Sequence, residues 1–248
     1  MALPARRAAT SRPIMTTETP SAHRAIRSYV LRQGRMTDAQ RDARDRLLER
    51  FGVTYSGKPI DFDGLFGRRA PRILEIGFGM GETTTEIAAN HLHIDYLGLE
   101  VHGPGVGSLL RQIEARSITN VRVIQHDAVE VVTTMIPEGS LTGIHIFFPD
   151  PWPKKRHHKR RILQAPFARL LASRLMPGGY LHLATDWEEY AYWMLEVLDQ
   201  VPELENTADD FSPRPDYRPL TKFERRGLKL GHAVHDVVYR RRTLPPTT

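Results

Sequence analysis

The feature that most constrains this chain is the stretch from Ile144 to Arg161, IHIFFPDPWPKKRHHKRR. It begins as an apolar run, the pattern of a strand buried on both faces of a parallel sheet. It then breaks at Pro149-Asp150-Pro151-Trp152-Pro153. Proline removes a backbone donor and fixes φ, so the chain must leave the sheet here and stay stiff. One carboxylate, Asp150, is held between two of these prolines, with an indole two residues on. Six of the eight residues from Lys154 to Arg161 are Lys or Arg. A rigid acid beside an aromatic face and a dense cationic patch points to a site for a planar base on a phosphate backbone. The plainer reading of the basic run is a solvated helical surface. The junction itself falls beyond the carboxyl end of a buried strand, where open parallel sheets bind their ligands.

A second strand of this kind lies upstream. Arg72-Ile73-Leu74-Glu75-Ile76 runs into Gly77-Phe78-Gly79-Met80-Gly81, and a helix is predicted from about Glu82 to Asn90. Strand, glycine turn and helix form the nucleotide-binding layout, with free N–H groups at the helix start. The spacing is G-x-G-x-G, unlike the G-x-G-x-x-G of dinucleotide binders. Glu75, just before the first glycine, would repel a pyrophosphate. It suits a ligand with a cationic part, such as the methionyl ammonium of S-adenosylmethionine.

Two more acids end predicted strands. Glu100 closes the strand Ile94–Leu99, 23 residues after Gly77, near the spacing at which a carboxylate takes ribose hydroxyls. Asp127 follows the strand Val121–Gln125. It can reach an adenine amino group, cap the helix 128–135, or do both. Asp186 stands beside Trp187 after the strand Tyr180–Ala184, either as a helix cap or as a functional carboxylate.

The rest of the chain bounds the answer. Its 248 residues, 40% hydrophobic, suffice for one α/β domain with an arm. Thirty-five Lys/Arg against 29 Asp/Glu give a net charge of +6, which favours a polyanionic partner. There is no cysteine, which excludes disulfides, thiolate metal sites and a cysteine nucleophile. No run approaches the ~18 apolar residues of a membrane span. The eleven histidines show no spacing of a metal site, and none is expected. Residues 1–20 read as a disordered arm and 21–248 as a single domain. The segment RAIRSYVLRQGR (24–35) would dock on the domain or touch a phosphate backbone. Thr37 to Gln40 fits a capping box that opens a helix to about Arg50. Residues 53–70 read as loop or short extended chain. A helix is expected from about Val106 to Arg116 after a turn at 102–105, and another from Ala165 to Met176. Pro177-Gly178-Gly179 reads as a stop and turn. A helix over Trp187–Gln200 comes next, then an extended segment at 201–219, a polar loop at Thr221–Glu224, and a last strand at Val234–Arg240.

Taken together, these blocks resemble one family, the bacterial tRNA (guanine-N7-)-methyltransferases. The resemblance rests on RSYVLRQGRMT (27–37), ILEIGFGMGE (73–82), YLGLEVHGPGVG (96–107), QHDAVEVV (125–132), IFFPDPWPKKRHHKRRI (146–162), LATDWEEYAYWMLEV (183–197) and RPLTKFERRGLKLGH (218–232). The FFPDPW and TKFE blocks are the specific ones. Pro153 departs from the pattern. The resemblance implies a Rossmann-like fold: seven strands, mostly parallel, the last antiparallel, with helices on both faces. It implies methyl transfer from S-adenosylmethionine to N7 of a guanine in the tRNA variable loop. Glu75, Glu100, Asp127 and the turn glycines Gly77, Gly79 and Gly81 would bind the cofactor, and Asp150 would be catalytic and could also touch it. Lys154, Asp186, Thr221, Lys222, Phe223 and Glu224 would bind substrate. Lys154, Lys155, Arg156, Lys159, Arg160 and Arg161 would lie along the RNA backbone. No membrane and no obligate protein partner are implied, and the location would be cytoplasmic. The alternatives are a tRNA-binding or folding factor on the same fold, or a methyltransferase for another base atom.

Overall fold

The computed structural model describes residues 28–29, 34–221, 224 and 233–243. The disordered arm expected at 1–20 lies outside them, as does the part of RAIRSYVLRQGR other than Ser28, Tyr29, Gly34 and Arg35.

Among the described residues seven strands form one sheet. They are β1 (Arg72–Ile76), β2 (Asp95–Leu99), β3 (Val121–Ile124), β4 (Leu141–Phe147), β5 (Leu175–Thr185), β6 (Leu204–Asn206) and β7 (His235–Arg241). Their order is β3-β2-β1-β4-β5-β7-β6. The pairs from β3 through β5 are parallel, and β7 runs antiparallel to both its neighbours. The Rossmann-like expectation therefore holds, including the reversed last strand.

Strand order reverses between β1 and β4. The chain builds β1, β2 and β3 outward on one side, then returns to pair β4 with the other side of β1. The two loops leaving this crevice are the glycine turn and the Phe148–Trp152 junction. Ligands of open α/β sheets bind at such a reversal.

The helices follow the two faces of the sheet. Side chains of a strand alternate, so Leu74 and Ile76 face one side while Ile73 and Glu75 face the other. On the first side lie α2 (Phe62–Phe66), α5 (Ala128–Thr134), α6 (Ala165–Arg174) and α7 (Glu188–Asp199), burying Phe62, Val131, Phe167, Leu171, Tyr190 and Met194. On the second lie α1 (Asp38–Phe51), α3 (Glu82–Asn90) and α4 (Gly103–Ala115), burying Leu47, Ile87, Val106 and Leu110. α1 opens with the expected capping box: Gln40 N–H donates to the Thr37 hydroxyl, and the Thr37 N–H donates back to the Gln40 side chain. Among the described residues no helix is long and apolar enough to cross a membrane.

Several expectations are corrected. Residues 53–70 contain α2, capped by Asp61, whose carboxylate accepts from Gly64 N–H. α4 starts at Gly103, because Pro104 sits in its first turn where no N–H is needed. α6 ends at Arg174, and Leu175 to Gly179 belong to an irregular start of β5. The segment 201–219 holds the edge strand β6. The basic run forms a 3-10 helix, Lys155–Arg160.

Candidate active site

The glycine turn is built for backbone that other residues resist. Gly77, Gly79 and Gly81 have φ of 76°, 58° and 77°, in the left-handed region that costs a side chain about 1 kcal/mol or more. A Cβ on Gly77 or Gly79 would meet no atom of the described residues within 4 Å, so these two glycines leave the turn backbone open. Glu100 fixes the turn from the next strand. Its Oε2 accepts from Gly79 N–H at 2.9 Å, and its Oε1 accepts from Val101 and His102 N–H at 2.7 and 3.0 Å.

Glu75 is buried, 3% exposed, and its Oε2 has no hydrogen-bond partner among the described residues. Burial pushes its carboxyl from 4.5 up to about 7. The Thr84 hydroxyl pulls the other way, and the charge of Glu100 adds to the rise. An orphaned buried carboxylate oxygen beside an open glycine cradle fits a ligand that carries a cation at this end.

A cleft of about 230 Å³ opens at the sheet reversal. Ile76, Leu99 and Ile146 supply an apolar lining. Gly77, Glu100, Phe148 and Asp150 line it from the two crossover loops, and Ser28 and Tyr29 line it from the N-terminal segment. His126 and Ala128, which flank Asp127, also line it. Asp127 caps α5: its Oδ1 accepts from Val129 and Glu130 N–H at 2.8 and 3.3 Å.

The Pro149–Pro153 junction is strained as well as stiff. Phe148 and Trp152 are non-glycine residues with φ of 50° and 47°, a conformation that concentrates at functional sites. Asp150 is exposed and makes no hydrogen bond or ion pair with the described residues. Trp152 is engaged: its indole N–H donates to the Ser28 carbonyl at 3.2 Å, and the Arg160 guanidinium lies 5.0 Å over its ring. The indole thus ties Ser28 to the rim of the cleft, in line with docking, one of the two roles considered for residues 24–35.

The basic run divides. Lys154, Lys155, Arg156 and Lys159 are exposed and Arg160 is half-buried. Arg161 is corrected from a backbone-contacting residue to an internal one. It is 1% exposed, bonds Glu189 with two N–H groups, and donates from Nε to the Pro151 carbonyl at 2.9 Å.

Asp186 is also freed from the helix-cap role considered for it. The Thr185 hydroxyl accepts from Trp187 N–H, and Asp186 is exposed and makes no hydrogen bond with the described residues. Because Phe147 stands opposite Ala184 in the β4–β5 register, Asp150 and Asp186 follow the ends of adjacent parallel strands.

Thr221 to Glu224 is more than a polar loop. Thr221 N–H donates to Glu224 Oε2, and Glu224 N–H donates to the Thr221 hydroxyl, both at 3.0 Å. This is a reciprocal capping box, legible as T-x-x-E and missed in reading the sequence. Glu224 is 2% exposed and pairs with Arg218. Lys222 and Phe223 lie outside the described residues. Arg218, His182 and Asp236, which form a buried polar chain with Glu224 and the half-buried Tyr217, were not singled out from sequence.

Comparison with known proteins agrees with this architecture. A family model described as "putative methyltransferase" matches residues 69–237. A tRNA (guanine-N(7)-)-methyltransferase of Aromatoleum aromaticum is 64% identical over 219 residues, covering 88% of this chain and 85% of the relative. The enzyme of the same name from Nitrosospira multiformis is 60% identical over 222 residues, covering 90% and 97%. That from Chromobacterium violaceum is 58% identical over 225 residues, covering 91% and 100%. Among solved structures, the 16S rRNA methyltransferase KamB superposes with a TM-score of 0.55 at 13% identity, over 75% of this chain and 95% of that one. The antibiotic-resistance methyltransferase Kmr gives 0.53 at 15%, over 78% and 96%. These two share the fold alone. With relatives at such identity matched along nearly their whole length, this chain belongs to the tRNA (guanine-N(7)-)-methyltransferase family.

Proposed function

We propose that the chain transfers a methyl group from S-adenosylmethionine to N7 of a guanine in the variable loop of tRNA. The observation that carries the reading is Asp150. It is a carboxylate without a hydrogen-bond partner among the described residues, on a proline-locked junction at the rim of a cleft whose other wall is the glycine turn. Glu75, the open backbone at Gly77 and Gly79, Glu100 and Asp127 would hold the cofactor. When bound, it supplies an electrophilic methyl group carried on a sulfonium.

Guanine N7 has a lone pair and no proton, so no general base is required of the protein. Its main work is alignment, which can lower a barrier by roughly 7–11 kcal/mol. Positive charge grows on the purine as N7 reacts. Asp150 and Asp186 would accept hydrogen bonds from the N1–H and N2–H₂ edge of guanine and favour that charge. Adenine lacks this pair of donors, so the same carboxylates would select the base. Asp150 therefore orients and stabilises; it does not abstract a proton. Thr221 to Glu224 and Lys154 complete the substrate side, and Lys155, Arg156, Lys159 and Arg160 follow the RNA backbone.

The test is kinetic. Asp150→Asn keeps size and removes charge. The expected outcome is a fall of at least tenfold in kcat at saturating tRNA. Weaker tRNA binding with full turnover at saturation would remove the transition-state role.

A further inference from the structure

Arg218 is a long cation with 1% of its surface exposed. Its Nε and Nη2 grip the two oxygens of Asp236 on β7 at 2.7 and 2.8 Å. Its Nη1 lies 2.8 Å from Glu224 Oε1, within ion-pair distance though off the angle of a hydrogen bond. The same guanidinium stands 5.9 Å from the Phe147 ring centroid and 5.8 Å from that of Phe148. Three pieces of chain therefore meet on one side chain: β7, the Thr221–Glu224 turn, and the two phenylalanines that lead directly into Pro149-Asp150-Pro151.

The anchor beneath it is rigid. Asp236 also accepts from His182 Nε2 at 2.7 Å, and the other ring nitrogen of His182 is 2.8 Å from the Tyr217 hydroxyl. With Nε2 donating to Asp236, Nδ1 is the acceptor for Tyr217 O–H. Burial would raise the Asp236 carboxyl, but the bonds from His182 and Arg218 outweigh it and hold it below its usual value. His182 is held low, first by burial, so it stays neutral in this arrangement.

A buried ion pair is poor evidence of added stability, because a packed apolar cluster often does as well. What an arginine offers instead is a planar fork that fixes the relative position of several partners. Here the partners lead to both edges of the proposed guanine site. Phe147 and Phe148 also line the cleft, so their position sets where Asp150 stands.

We propose that Arg218 is a positioning residue for methyl transfer. Through Glu224 on one side and Phe147–Phe148 on the other, it holds the Thr221–Glu224 turn in register with the Asp150 junction. This rests on the guanine-N7 reading given above. A misplacement of about 1 Å at a reacting centre can cost ~100-fold in rate. The tie therefore acts on turnover and not on cofactor capture, which belongs to the glycine turn and Glu100.

The test compares the wild-type protein with Arg218→Lys and Glu224→Gln. Cofactor affinity is measured directly by titration with S-adenosylhomocysteine, and rates are expressed per cofactor-binding site, which corrects for any unfolded fraction. Arg218→Lys keeps the charge and loses the fork. The expected result is a fall of tenfold or more in kcat at saturating unmodified tRNA, with cofactor Kd within about threefold. Glu224→Gln retains the capping-box partner of Thr221 and removes only the ion pair, so it reports on the same link if Arg218→Lys does not fold. It should lose at least fivefold in kcat with unchanged cofactor Kd. A folded variant of either kind that turns over at the wild-type rate overturns the proposal. So does a loss confined to the cofactor Kd. If the wild-type protein itself forms no 7-methylguanosine, the underlying reading falls and takes the proposal with it.

Discussion

Arg161 and Glu189 are joined by a two-pronged ion pair, Nη1 to Oε1 at 3.1 Å and Nη2 to Oε2 at 2.8 Å. The arginine is fully buried and the glutamate half exposed. The guanidinium also lies 4.8 and 5.2 Å from the Tyr190 and Trp193 ring centroids, and its Nε holds the Pro151 carbonyl. The last cation of a basic run thus fastens the loop that carries Asp150 to the start of α7.

Arg161→Met should therefore act as a stability variant. It removes the buried charge and leaves Glu189 in water, so the loss comes from the Pro151 bond and the packing, about 1–2 kcal/mol. Glu189→Gln instead leaves a buried guanidinium without its counter-charge and should cost more, about 2–4 kcal/mol. Urea melts of both variants check this. A smaller loss in Glu189→Gln than in Arg161→Met would mean that the guanidinium does not depend on Glu189.

The exposed cations should behave differently. Replacing Lys155 and Lys159 with Ala removes two exposed charges from the face proposed to meet RNA. The slope of log affinity against log salt should flatten by about 1–2. Arg161→Met should leave that slope alone. An unchanged slope in the double variant would make the run an ordinary solvated surface.

Glu75 gives a pH signature. Its carboxyl rises from 4.5 to about 7 in the folded protein, so folding favours the protonated form. That contribution, roughly 3 kcal/mol, is full below the unfolded value and is lost as pH climbs through about 7. A cationic ligand group beside Glu75 needs the ionised form instead. S-adenosylmethionine should then bind more tightly as pH rises from 6 to 8 and release a proton on binding. Calorimetry in buffers of different ionisation heat measures that proton. Glu75→Gln should abolish both effects, and a flat profile in the wild type would argue against contact between Glu75 and the cofactor.

Two glycines of α4 separate the glycine turn from general packing. A Cβ at Gly105 would stand 2.2 Å from the Gly79 carbonyl oxygen, and one at Gly107 2.4 Å from the Gln40 carbonyl oxygen on α1. Both Ala variants should lose about 1–3 kcal/mol of stability by overpacking. Only Gly105→Ala should also weaken S-adenosylhomocysteine binding by tenfold or more, because it displaces the turn. Equal cofactor affinity in the two variants would separate the turn from the cofactor.

Much of the fold could be read from sequence because its strands are uninterrupted apolar runs closed by glycine, proline or an acid. β1 and α3 lie where periodicity put them, and the acids Glu75, Glu100, Asp127 and Asp150 all end at the same edge of the sheet. The misses have physical reasons. α2 is five residues long, too short to show a helical period. β6 is a three-residue edge strand within proline-rich chain. Arg161 looks like its basic neighbours, and only tertiary packing against Tyr190 and Trp193 takes it inside. Arg218 and Asp236 are 18 residues apart, and nothing local marks them as partners. The capping box at Thr221 was legible as T-x-x-E, yet no apolar helical run beside it drew attention to it.

The most direct measurement is the identity of the methylated nucleoside. The protein is incubated with labelled S-adenosylmethionine and unmodified bulk tRNA, and the tRNA is digested and its nucleosides separated. The label is expected in 7-methylguanosine from the variable loop, and it should disappear with Asp150→Ala while the variant still binds cofactor. Label in another nucleoside, or full activity in Asp150→Ala, would contradict the assignment of base and carboxylate.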